Sequence, residues 1–495
     1  MKIKIPIELD LETIAHITNA KLIGHNLPVS FISTDTRKDV SDSLFIPIKG
    51  QTFDGHKFIT EAYNLGAVAS FSSEQFWEKN LSFQELTKPI LLVKDTTEAF
   101  LRLAYYVRKR LDIFVIAVGG SVGKTTTKEL TYFILTELGV KSHKSMKSFN
   151  NNVGLAISLI SADKEKKVAV LEIGTSSKGE IPYLTRFADP DLGIITSVGK
   201  EHLEGLEDEY GVFLEEIELI KYVVKKGGIS VLNIGNQMLG EYFLSIPEPK
   251  IGFFMQDKNG SLEEKFKNSK VGNSILVRCK LEQADEFLNS TFRVFFGEES
   301  LHLRTNLPPH FGEILAGAFA SVLGFFRKNA NVQELKRISE IDFGKFENEK
   351  GRFKVIFLRN IFIVDDTYNS NPTSVDGMFF SASFAKGRKI FVLGDMLELG
   401  KKSEEEHRNI GNLARRYFRE DEAFFIVNGE FSEHLFKGLN ENGFSVLEIG
   451  ERPKISQYLK KIVKSGDYVF FKASRRCKFE EILSDFSDAI RNQVS

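Results

Sequence analysis

A glycine-rich segment with one lysine and two threonines stands between an apolar run and a helical pattern; it reads Gly119-Gly120-Ser121-Val122-Gly123-Lys124-Thr125-Thr126. Glycines let backbone N–H groups approach phosphate oxygens closely, and the N-terminus of the next helix adds a partial positive charge. Lys124 would neutralise the β- and γ-phosphates of a nucleotide, and Thr125 would offer a hydroxyl to Mg²⁺. The segment predicts a nucleotide phosphate site, with a glycine-rich turn that binds no nucleotide as the alternative.

The spacing of this phosphate loop is unusual. The common motif has four residues between its first glycine and the Gly-Lys pair, but Val118 stands at that first position, so the loop is a compressed Gly-x-x-Gly-Lys-Thr. A phosphate loop alone does not separate a kinase, a GTPase, a motor and a ligase. The sequence contains no Asn-Lys-x-Asp guanine signature, which disfavours a GTPase switch.

The elements that must position the loop alternate as in an α/β protein. The continuous apolar run 113–118 is typical of a strand buried on both faces, and helical spacing follows it from Leu130 to a stop at Gly139. Further strands are predicted at 168–171, 193–196, 229–232, 361–364, 389–393, 424–427 and 468–471. Such alternation predicts parallel sheets with crossover helices. The more polar stretch 253–304 predicts peripheral strands and loops.

The chain of 495 residues is too long for one hydrophobic core and predicts three domains. Residues 1–93 have the short runs and turns of a small mixed α/β domain. Residues 94–345 predict a central parallel-sheet domain that carries the phosphate loop, and residues 346–495 a Rossmann-like α/β domain. The late strands end at Gly, Asp, Lys or Asn, where open α/β sheets bind their ligands.

The composition excludes several other classes. The 66 basic and 67 acidic residues nearly cancel, so no overall basic surface suggests nucleic acid or an anionic membrane as a partner. Two distant cysteines exclude a disulfide framework and a structural zinc site, and they fit a reducing compartment. The sequence has neither a signal-peptide run nor an apolar stretch of about 18 residues, so we expect a cytoplasmic protein without a membrane span.

Motifs in all three predicted domains resemble the Mur ligase family, which compresses its phosphate loop in the same way. The central domain has Asn150-Asn151-Asn152-Val153-Gly154, Glu172-Ile173-Gly174 with Gly179-Glu180-Ile181, and His202-Leu203-Glu204-Gly205. The third has Asp365-Asp366-Thr367-Tyr368-Asn369-Ser370-Asn371-Pro372, Leu393-Gly394-Asp395-Met396-Leu397-Glu398-Leu399-Gly400 and Phe471-Lys472-Ala473-Ser474-Arg475. The first has Ser33-Thr34-Asp35-Thr36-Arg37, Lys49-Gly50 and Phe53-Asp54-Gly55-His56. The motifs follow in the family's order.

The resemblance implies an ATP-dependent ligase that activates a carboxylate as an acyl phosphate and passes it to an amine. The motif versions are most similar to those of the member that joins D-alanyl-D-alanine to UDP-N-acetylmuramoyl-tripeptide in peptidoglycan precursor synthesis. ATP and Mg²⁺ would then be required. The first domain would bind the uridine nucleotide, and a cytoplasmic monomer is expected.

Roles for single residues also follow from the resemblance. The ATP phosphates would be bound by Gly120, Ser121, Gly123, Lys124, Thr125 and Thr126, with Arg352 reaching them from the third domain. Asp366 would take the ribose, with Tyr368, Asn369 and Asn371 nearby. Thr125 and Glu172 would hold Mg²⁺ between the β- and γ-phosphates, and His202 would face a second ion. Lys124, His202, Glu216 and Arg352 would form the catalytic group.

The peptide and uridine sites are assigned in the same way. Asn150 and Asn151 would hold the incoming peptide, and Lys472, Ser474 and Arg475 would bind peptide carboxylates. Ser33, Asp35, Arg37, Lys49, Asp54 and His56 would contact the uridine nucleotide. The alternative is structural: turn residues for the asparagines and for Asp54 and His56, and a structural histidine for His202.

Three positions depart from the family's pattern. A lysine carbamylated by CO₂ usually lies about fourteen residues after the histidine, and here that position is Glu216. We hypothesise that Glu216 supplies a metal-binding carboxylate directly; a solvated acidic helix face is the alternative. Ile314 stands where an asparagine often meets the adenine, so adenine recognition is open. Asn152 takes a place that is often acidic.

Three rival functions remain at this point. A ligase that adds the third amino acid lacks the Asp-Asp-x-Tyr-Asn-x-Asn-Pro string, and a folylpolyglutamate synthase lacks a uridine-nucleotide domain like Thr34–Arg37. A nucleotide-dependent scaffold without ligase activity is the rival outside the enzymes. The presence of Lys124, Glu172, His202 and Arg352 argues against it.

Overall fold

The computed structural model describes residues 2–50, 52–80, 88–258, 274–328 and 332–492. The chain forms two compact units. The first unit comprises Met1–Val118, Gly139–Thr175 and Gly179–Gly193, and the second comprises Gly119–Leu138, Ser176–Lys178 and Ile194–Ser495. The boundaries at 93/94 and 345/346 remain sequence-based predictions.

The N-terminal part of the first unit is a mixed sheet with helices. Its strands are β1 (Lys2–Lys4), β2 (Lys21–Ile23), β3 (Phe31–Ser33), β4 (Ser43–Phe45), β5 (Ala69–Ser73) and β6 (Ile90–Val93). Its helices are α1 (Leu11–Thr18), α2 (Ile59–Asn64), α3 (Glu74–Lys79) and α4 (Thr96–Leu111). The strand order is β1-β3-β4-β5-β6-β2. Strands β3 to β6 are parallel and the two outer strands are antiparallel, which confirms the predicted mixed α/β character of this part of the chain.

The chain then enters the phosphate loop through a buried strand. The elements in order are β7 (Phe114–Gly119), α5 (Lys124–Glu137), β8 (Ser142–Lys144), α6 (Asn152–Ile160), β9 (Val168–Glu172), α7 (Glu180–Ala188) and β10 (Leu192–Ile195). In the first unit β9 pairs in parallel with both β7 and β8. Strand β9 is buried along its whole length, as its uninterrupted apolar run predicts.

In the second unit two helices precede a further set of strands. The elements are α8 (Leu203–Leu206), α9 (Glu209–Lys226), β11 (Ile229–Asn233), α10 (Gln237–Ser245), β12 (Lys250–Met255), β13 (Ile275–Ala284), β14 (Ser290–Phe296), β15 (Glu299–Arg304) and α11 (Gly312–Lys328). Strands β11, β12 and β13 are parallel, whereas β13, β14 and β15 form an antiparallel meander. The predicted peripheral strands are confirmed for the described part of 253–304; residues 259–273 lie outside the described residues.

The C-terminal sheet also belongs to the second unit. Its strands are β16 (Lys354–Leu358), β17 (Ile361–Asp365), β18 (Lys389–Leu393), β19 (Ala423–Val427), β20 (Ser445–Glu448) and β21 (Tyr468–Lys472), in the order β16-β17-β21-β18-β19-β20. Its helices are α12 (Pro372–Ala382), α13 (Ser403–Arg415), α14 (Ser432–Glu441), α15 (Arg452–Ile462) and α16 (Phe479–Arg491). Strands β17 to β21 are parallel and β16 is antiparallel. The segments after β17, β18 and β21 therefore lie at one edge of the sheet.

One helix among the described residues is long and apolar enough to cross a membrane. It is Pro309–Lys328, which includes α11, and most of it is buried inside the protein. The two cysteines, Cys279 and Cys477, are buried and free.

Candidate active site

The phosphate loop has the backbone geometry that its glycines permit. Gly120 and Gly123 have φ values of +112° and +92°, a region that glycine adopts without strain. A Cβ atom on Gly120 would lie 2.8 Å from the Ser197 amide nitrogen and would also collide with the Thr196 hydroxyl. Helix α5 begins directly after Gly123, so the N–H groups of its first turn lack acceptors within the helix. The loop and helix N-terminus thus form an anion site by backbone alone.

Lys124 lies across this loop. Its Nζ donates to the carbonyl oxygens of Gly120 at 2.5 Å and Ser121 at 3.2 Å. It also lies 3.4 Å from Oε1 of Glu201, a buried carboxylate. Burial raises the pKa of Glu201, and the charge of Lys124 only partly offsets this. The ammonium group of Lys124 therefore lies against the backbone of the loop, with the Glu201 carboxylate beside it.

Glu216 lies against the same loop and is completely buried. Helix α9 positions it: the helix begins after Asp208, whose Oδ1 accepts from Gly211 N at 2.8 Å, and ends at the left-handed Gly227. Glu216 Oε2 accepts from Gly120 N at 2.7 Å, while its Oε1 has no hydrogen-bond partner among the described residues. Burial raises the pKa of Glu216 to about 7, despite the opposing charge of Lys124. The alternative of a solvated acidic face does not apply to this carboxylate.

His202 lies at the start of α8 in a left-handed backbone conformation with φ +50°. Its Nδ1 is 2.6 Å from Glu398 Oε2, and its Nε2 is 4.0 Å from Glu201 Oε2. Burial lowers the pKa of His202, but the hydrogen bond with Glu398 and the charge of Glu201 outweigh this and raise it. The histidine thus lies between carboxylates from two segments that are far apart in the sequence.

Arg352, the cation predicted to reach the ATP phosphates, contacts the first turn of α5, and its role at the phosphates stays a prediction. Its Nη2 donates to the Thr125 hydroxyl at 2.9 Å, and its guanidinium lies over the Tyr368 ring, 4.1 Å from the centroid. Asn348 adds a second link, since Thr126 Oγ1 donates to Asn348 Oδ1 at 3.3 Å. Two of the predicted phosphate-binding threonines therefore contact the segment that leads into β16.

The predicted ribose and carboxylate residues lie together after β17 and β21. Lys472 Nζ donates to Asp366 Oδ2 at 2.6 Å and to the Asn369 carbonyl at 3.1 Å.

Three further residues of the predicted sets have partners within the protein. Asn371 caps α12 by accepting from Ser374 N at 2.8 Å. Ser474 Oγ accepts from Leu397 N at 2.9 Å. Arg475 forms a 3.1 Å ion pair with Glu480 and is largely exposed. The structure thus gives Asn371 and Ser474 structural contacts, and their predicted ligand roles stay predictions.

In the first unit the predicted metal and peptide residues are adjacent. Asn150 Nδ2 donates to Glu172 Oε1 at 3.1 Å, and the Glu172 carboxylate is buried at the end of β9. Asn151 caps α6 by accepting from Gly154 N at 2.9 Å, the turn role that was its alternative. Asn152 is the first residue of that helix.

The predicted uridine residues also lie in the first unit. Arg37 donates to both carboxylate oxygens of Asp35, at 2.8 and 3.0 Å, and this hydrogen bonding lowers the pKa of Asp35 to about 2. Ser33 is buried at the end of β3. His56 is buried between Asp54, 2.6 Å from its Nδ1, and Ser73 N, which donates to its Nε2 at 3.1 Å. The remaining predicted residue, Lys49, pairs with Asp54 in an isolated antiparallel bridge.

A magnesium ion fits the chemistry of this site. Mg²⁺ bound to a nucleotide keeps several waters and takes only one or two protein ligands besides phosphate oxygens. Among the described residues no group of three His, Cys, Asp or Glu side chains forms a ready-made cage. The unpartnered Oε1 of the buried Glu216 is the hard oxygen donor that such an ion prefers.

Sequence reasoning missed Glu201, Glu398 and Asn348. Glu201 precedes His202 and Glu398 lies within the motif 393–400, so both were inside segments already singled out. Nothing in the sequence distinguishes Asn348. Ile314 stands where the family's asparagine often meets the adenine, and its side chain lies 3.3 Å from the position that a Cβ atom on Gly123 would take.

The sequence matches three domain descriptions of one family. Residues 28–107 match the Mur ligase family catalytic domain, residues 118–311 the Mur ligase middle domain, and residues 351–475 the Mur ligase glutamate ligase domain. The chain is 30% identical to UDP-N-acetylmuramoyl-tripeptide–D-alanyl-D-alanine ligase of Bacillus subtilis, over 92% of this chain and 93% of that protein. It is 29% identical to the enzyme of the same name from Haemophilus influenzae, over 98% and 100%.

Solved structures agree in fold. A MurF from Acinetobacter baumannii has a TM-score of 0.80 at 21% identity and covers 98% of this chain and 100% of its own. A MurF ligase from Thermotoga maritima in complex with ADP has a TM-score of 0.73 at 24% identity, covering 94% and 98%. The fold is accordingly the three-domain α/β fold of these proteins. Because similarity at 30% identity extends over more than nine tenths of both sequences, the chain belongs to the Mur ligase family.

Proposed function

We propose that this protein joins D-alanyl-D-alanine to UDP-N-acetylmuramoyl-tripeptide in peptidoglycan precursor synthesis, with ATP converted to ADP and phosphate. The relatives named for this reaction match nearly the whole chain. The structural observation that carries the proposal is the meeting of Lys124, Arg352 and the N-terminus of α5 at one phosphate loop. The two cations and the N–H groups of the first helical turn suit the phosphates of a triphosphate.

The reaction follows from the poor reactivity of a carboxylate. An amine cannot expel an oxide ion, but it can expel phosphate once the γ-phosphoryl group has moved from ATP to the carboxylate oxygen. The protein has to align the two partners and neutralise charge on the phosphates. Lys124 and Arg352 would do this through their cations, and the first-turn N–H groups of α5 through hydrogen bonds.

Magnesium would supply further charge neutralisation on the phosphate oxygens. Thr125, His202 and Glu216 in the second unit are the groups we assign to it, and Glu172 is assigned by family resemblance. Lys124 would keep its charge on the phosphates, and Glu201 would hold the lysine at the loop.

The substrate residues are proposed from the same resemblance. Asp35, Arg37 and the neighbouring uridine set would bind UDP, while Asn150 would hold the peptide beside Glu172. Exposed Arg475 is best suited to bind a peptide carboxylate, because its guanidinium is accessible. Cytoplasmic location, a monomeric state and the two predicted domain boundaries belong to this proposal.

A mass-resolved ligation assay tests the proposal. Purified protein is incubated with ATP, Mg²⁺ and UDP-N-acetylmuramoyl-tripeptide, with D-alanyl-D-alanine or single amino acids as the amine. We expect a pentapeptide product only with the dipeptide, together with stoichiometric phosphate. Lys124→Met is the matched control, since it removes the cation and retains most of the side-chain volume.

Other outcomes would favour the rivals. Product from a single amino acid with a dipeptide-bearing precursor would indicate the ligase that adds the third residue, and glutamate addition to a folate would indicate the synthase. Nucleotide binding without phosphate release for any amine would favour a scaffold and contradict the proposal.

A further inference from the structure

The ring of His202 is held by a carboxylate from the C-terminal sheet. His202 Nδ1 lies 2.6 Å from Glu398 Oε2, and a carboxylate can only accept a hydrogen bond, so the proton of the pair belongs on Nδ1. The other ring nitrogen, Nε2, then faces the side on which Glu201 and Lys124 lie. The contact determines both the tautomer and the direction of the ring.

We propose that Glu398 is a positioning residue that orients His202 toward the phosphate loop, and that it does so only while segment 394–400 is docked on segment 199–205. The inference rests on the proposed function, since it gives His202 a task in nucleotide and metal binding. It adds that His202 is oriented for metal and nucleotide binding only when the C-terminal sheet brings Glu398 to it. Closure of that sheet would thereby be coupled to assembly of the site.

Segment 394–400 is built to present Glu398 rigidly. Met396 N donates to Nε2 of the buried His407 at 2.9 Å, and Leu397 N donates to Ser474 Oγ at the same distance. The Asp395 carboxylate accepts from Glu430 N and Phe431 N, each at 2.9 Å. Every residue from Asp395 to Leu397 is thus tied to a neighbouring element. These hydrogen bonds fix the backbone that carries Glu398.

A second contact joins segment 199–205 to helix α13, which follows segment 394–400, without touching the histidine. Lys200 Nζ lies 2.6 Å from Oε1 of Glu406, whose side chain is only 4% exposed. This pair would support docking alone. Comparing it with Glu398 separates orientation of the ring from attachment of the two segments.

The test measures equilibrium binding of Mn²⁺ together with a non-hydrolysable ATP analogue, by calorimetry and by the electron spin resonance of free Mn²⁺. We expect Glu398→Ala to weaken Mn²⁺ binding by about 10- to 100-fold, the usual loss when the partner of a ligating histidine is removed. Glu398→Gln should lose less, because its amide oxygen still accepts from Nδ1. Lys200→Met should leave Mn²⁺ binding within about 2-fold, because neither Lys200 nor Glu406 contacts the histidine and effects at sites without shared partners are nearly independent.

Arg476→Ala is the charge control, since Arg476 contacts Glu398 at 3.6 Å on its other oxygen and not His202. Equal weakening in the Lys200 and Glu398 variants would overturn the proposal in favour of simple docking, and so would unchanged Mn²⁺ binding in both Glu398 variants. Thermal unfolding verifies that each variant folds, and Glu398→Gln carries the test if the alanine variant does not. The readout needs no ligation, so failure of the proposed function would be seen separately, as absence of product.

Discussion

Replacing Glu216 by glutamine should change how stability depends on pH. Glu216 is completely buried, and one of its oxygens accepts from Gly120 N at 2.7 Å. Glutamine has the same shape and can still accept this hydrogen bond, but it does not ionise. The substitution therefore removes the buried charge while keeping the packing.

The direction of the effect follows from proton binding. Burial raises the pKa of Glu216 from 4.5 to about 7 in the folded state. Between these values the folded protein binds more protons than the unfolded chain, so stability falls as the pH rises. The complete penalty is on the order of 3 kcal/mol above pH 7, since one pKa unit corresponds to about 1.4 kcal/mol. About 2 kcal/mol of it should develop between roughly pH 5.5 and 8.

Urea unfolding of the wild-type protein and Glu216→Gln at these two pH values measures the effect, with EDTA present and nucleotide absent. The stability of the variant relative to the wild type should rise by about 2 kcal/mol from the lower to the higher pH. Titrating groups that do not interact with Glu216 cancel in this double difference. Circular dichroism provides the signal, and the transition that includes α9 is the one to compare.

A double difference near zero would refute the reasoning. It would mean that the carboxylate of Glu216 is solvated in the folded protein and titrates near its ordinary pKa. Adding Mg²⁺ and an ATP analogue should abolish the effect in the wild type if the carboxylate binds the ion. The same additions should leave the glutamine variant unaffected in its pH dependence.

Three further predictions concern the same loop. Turnover should not require bicarbonate, because Glu216 carries its carboxylate without modification, whereas Glu216→Lys should acquire a bicarbonate requirement. Assays in CO₂-free buffer measure this, and a strict bicarbonate requirement in the wild-type protein would contradict the prediction. Gly120→Ala should abolish ATP binding and lower the melting temperature, because a Cβ meets Thr196 and Ser197 at φ +112°; Gly139→Ala, also left-handed but with open space around it, is the control and should cost only about 1 kcal/mol. Arg352→Lys should raise the KM for ATP by about 10- to 100-fold, the loss expected for a charged hydrogen bond of about 1.5–3 kcal/mol; an unchanged KM would place Arg352 away from the phosphates.

Most buried strands were predictable from the sequence and edge strands were not; the buried strand β12 is an exception, because 253–304 was read as a peripheral stretch. Strand β18 (Lys389–Leu393) was predicted to the residue, because both of its faces are buried and its apolar run is uninterrupted. Strands β16 and β20 were missed. They lie at the two edges of the C-terminal sheet, and their side chains are mostly half-buried or exposed, so polar residues interrupt the apolar pattern.

In the candidate site, residues with local partners were predictable and residues with distant partners were not. Residues that act through local backbone, such as Gly120, Gly123 and Lys124, were predictable because loop, strand and helix are contiguous. Glu398 and Asn348 were not, since their partners His202 and Thr126 lie about two hundred residues earlier in the chain. A pattern in one sequence has no means of pairing such distant positions. For asparagines such as Asn371 the sequence allowed either a ligand-binding or a turn role, and the structure shows a helix-capping contact.

Under the proposed function, the charges around the phosphate loop favour a nucleotide that is accompanied by cations. Two buried carboxylates, Glu201 and Glu216, lie close to a single ammonium group, Lys124, and burial raises the pKa of both. Each carboxylate also raises the free energy of ionising the other. A triphosphate brought to this loop alone would add like charge to a region of low dielectric. Under the proposed function, Mg²⁺ on the nucleotide and Arg352 from the C-terminal part would offset this repulsion. The acidic residues would thus favour the metal-bound nucleotide over the free one.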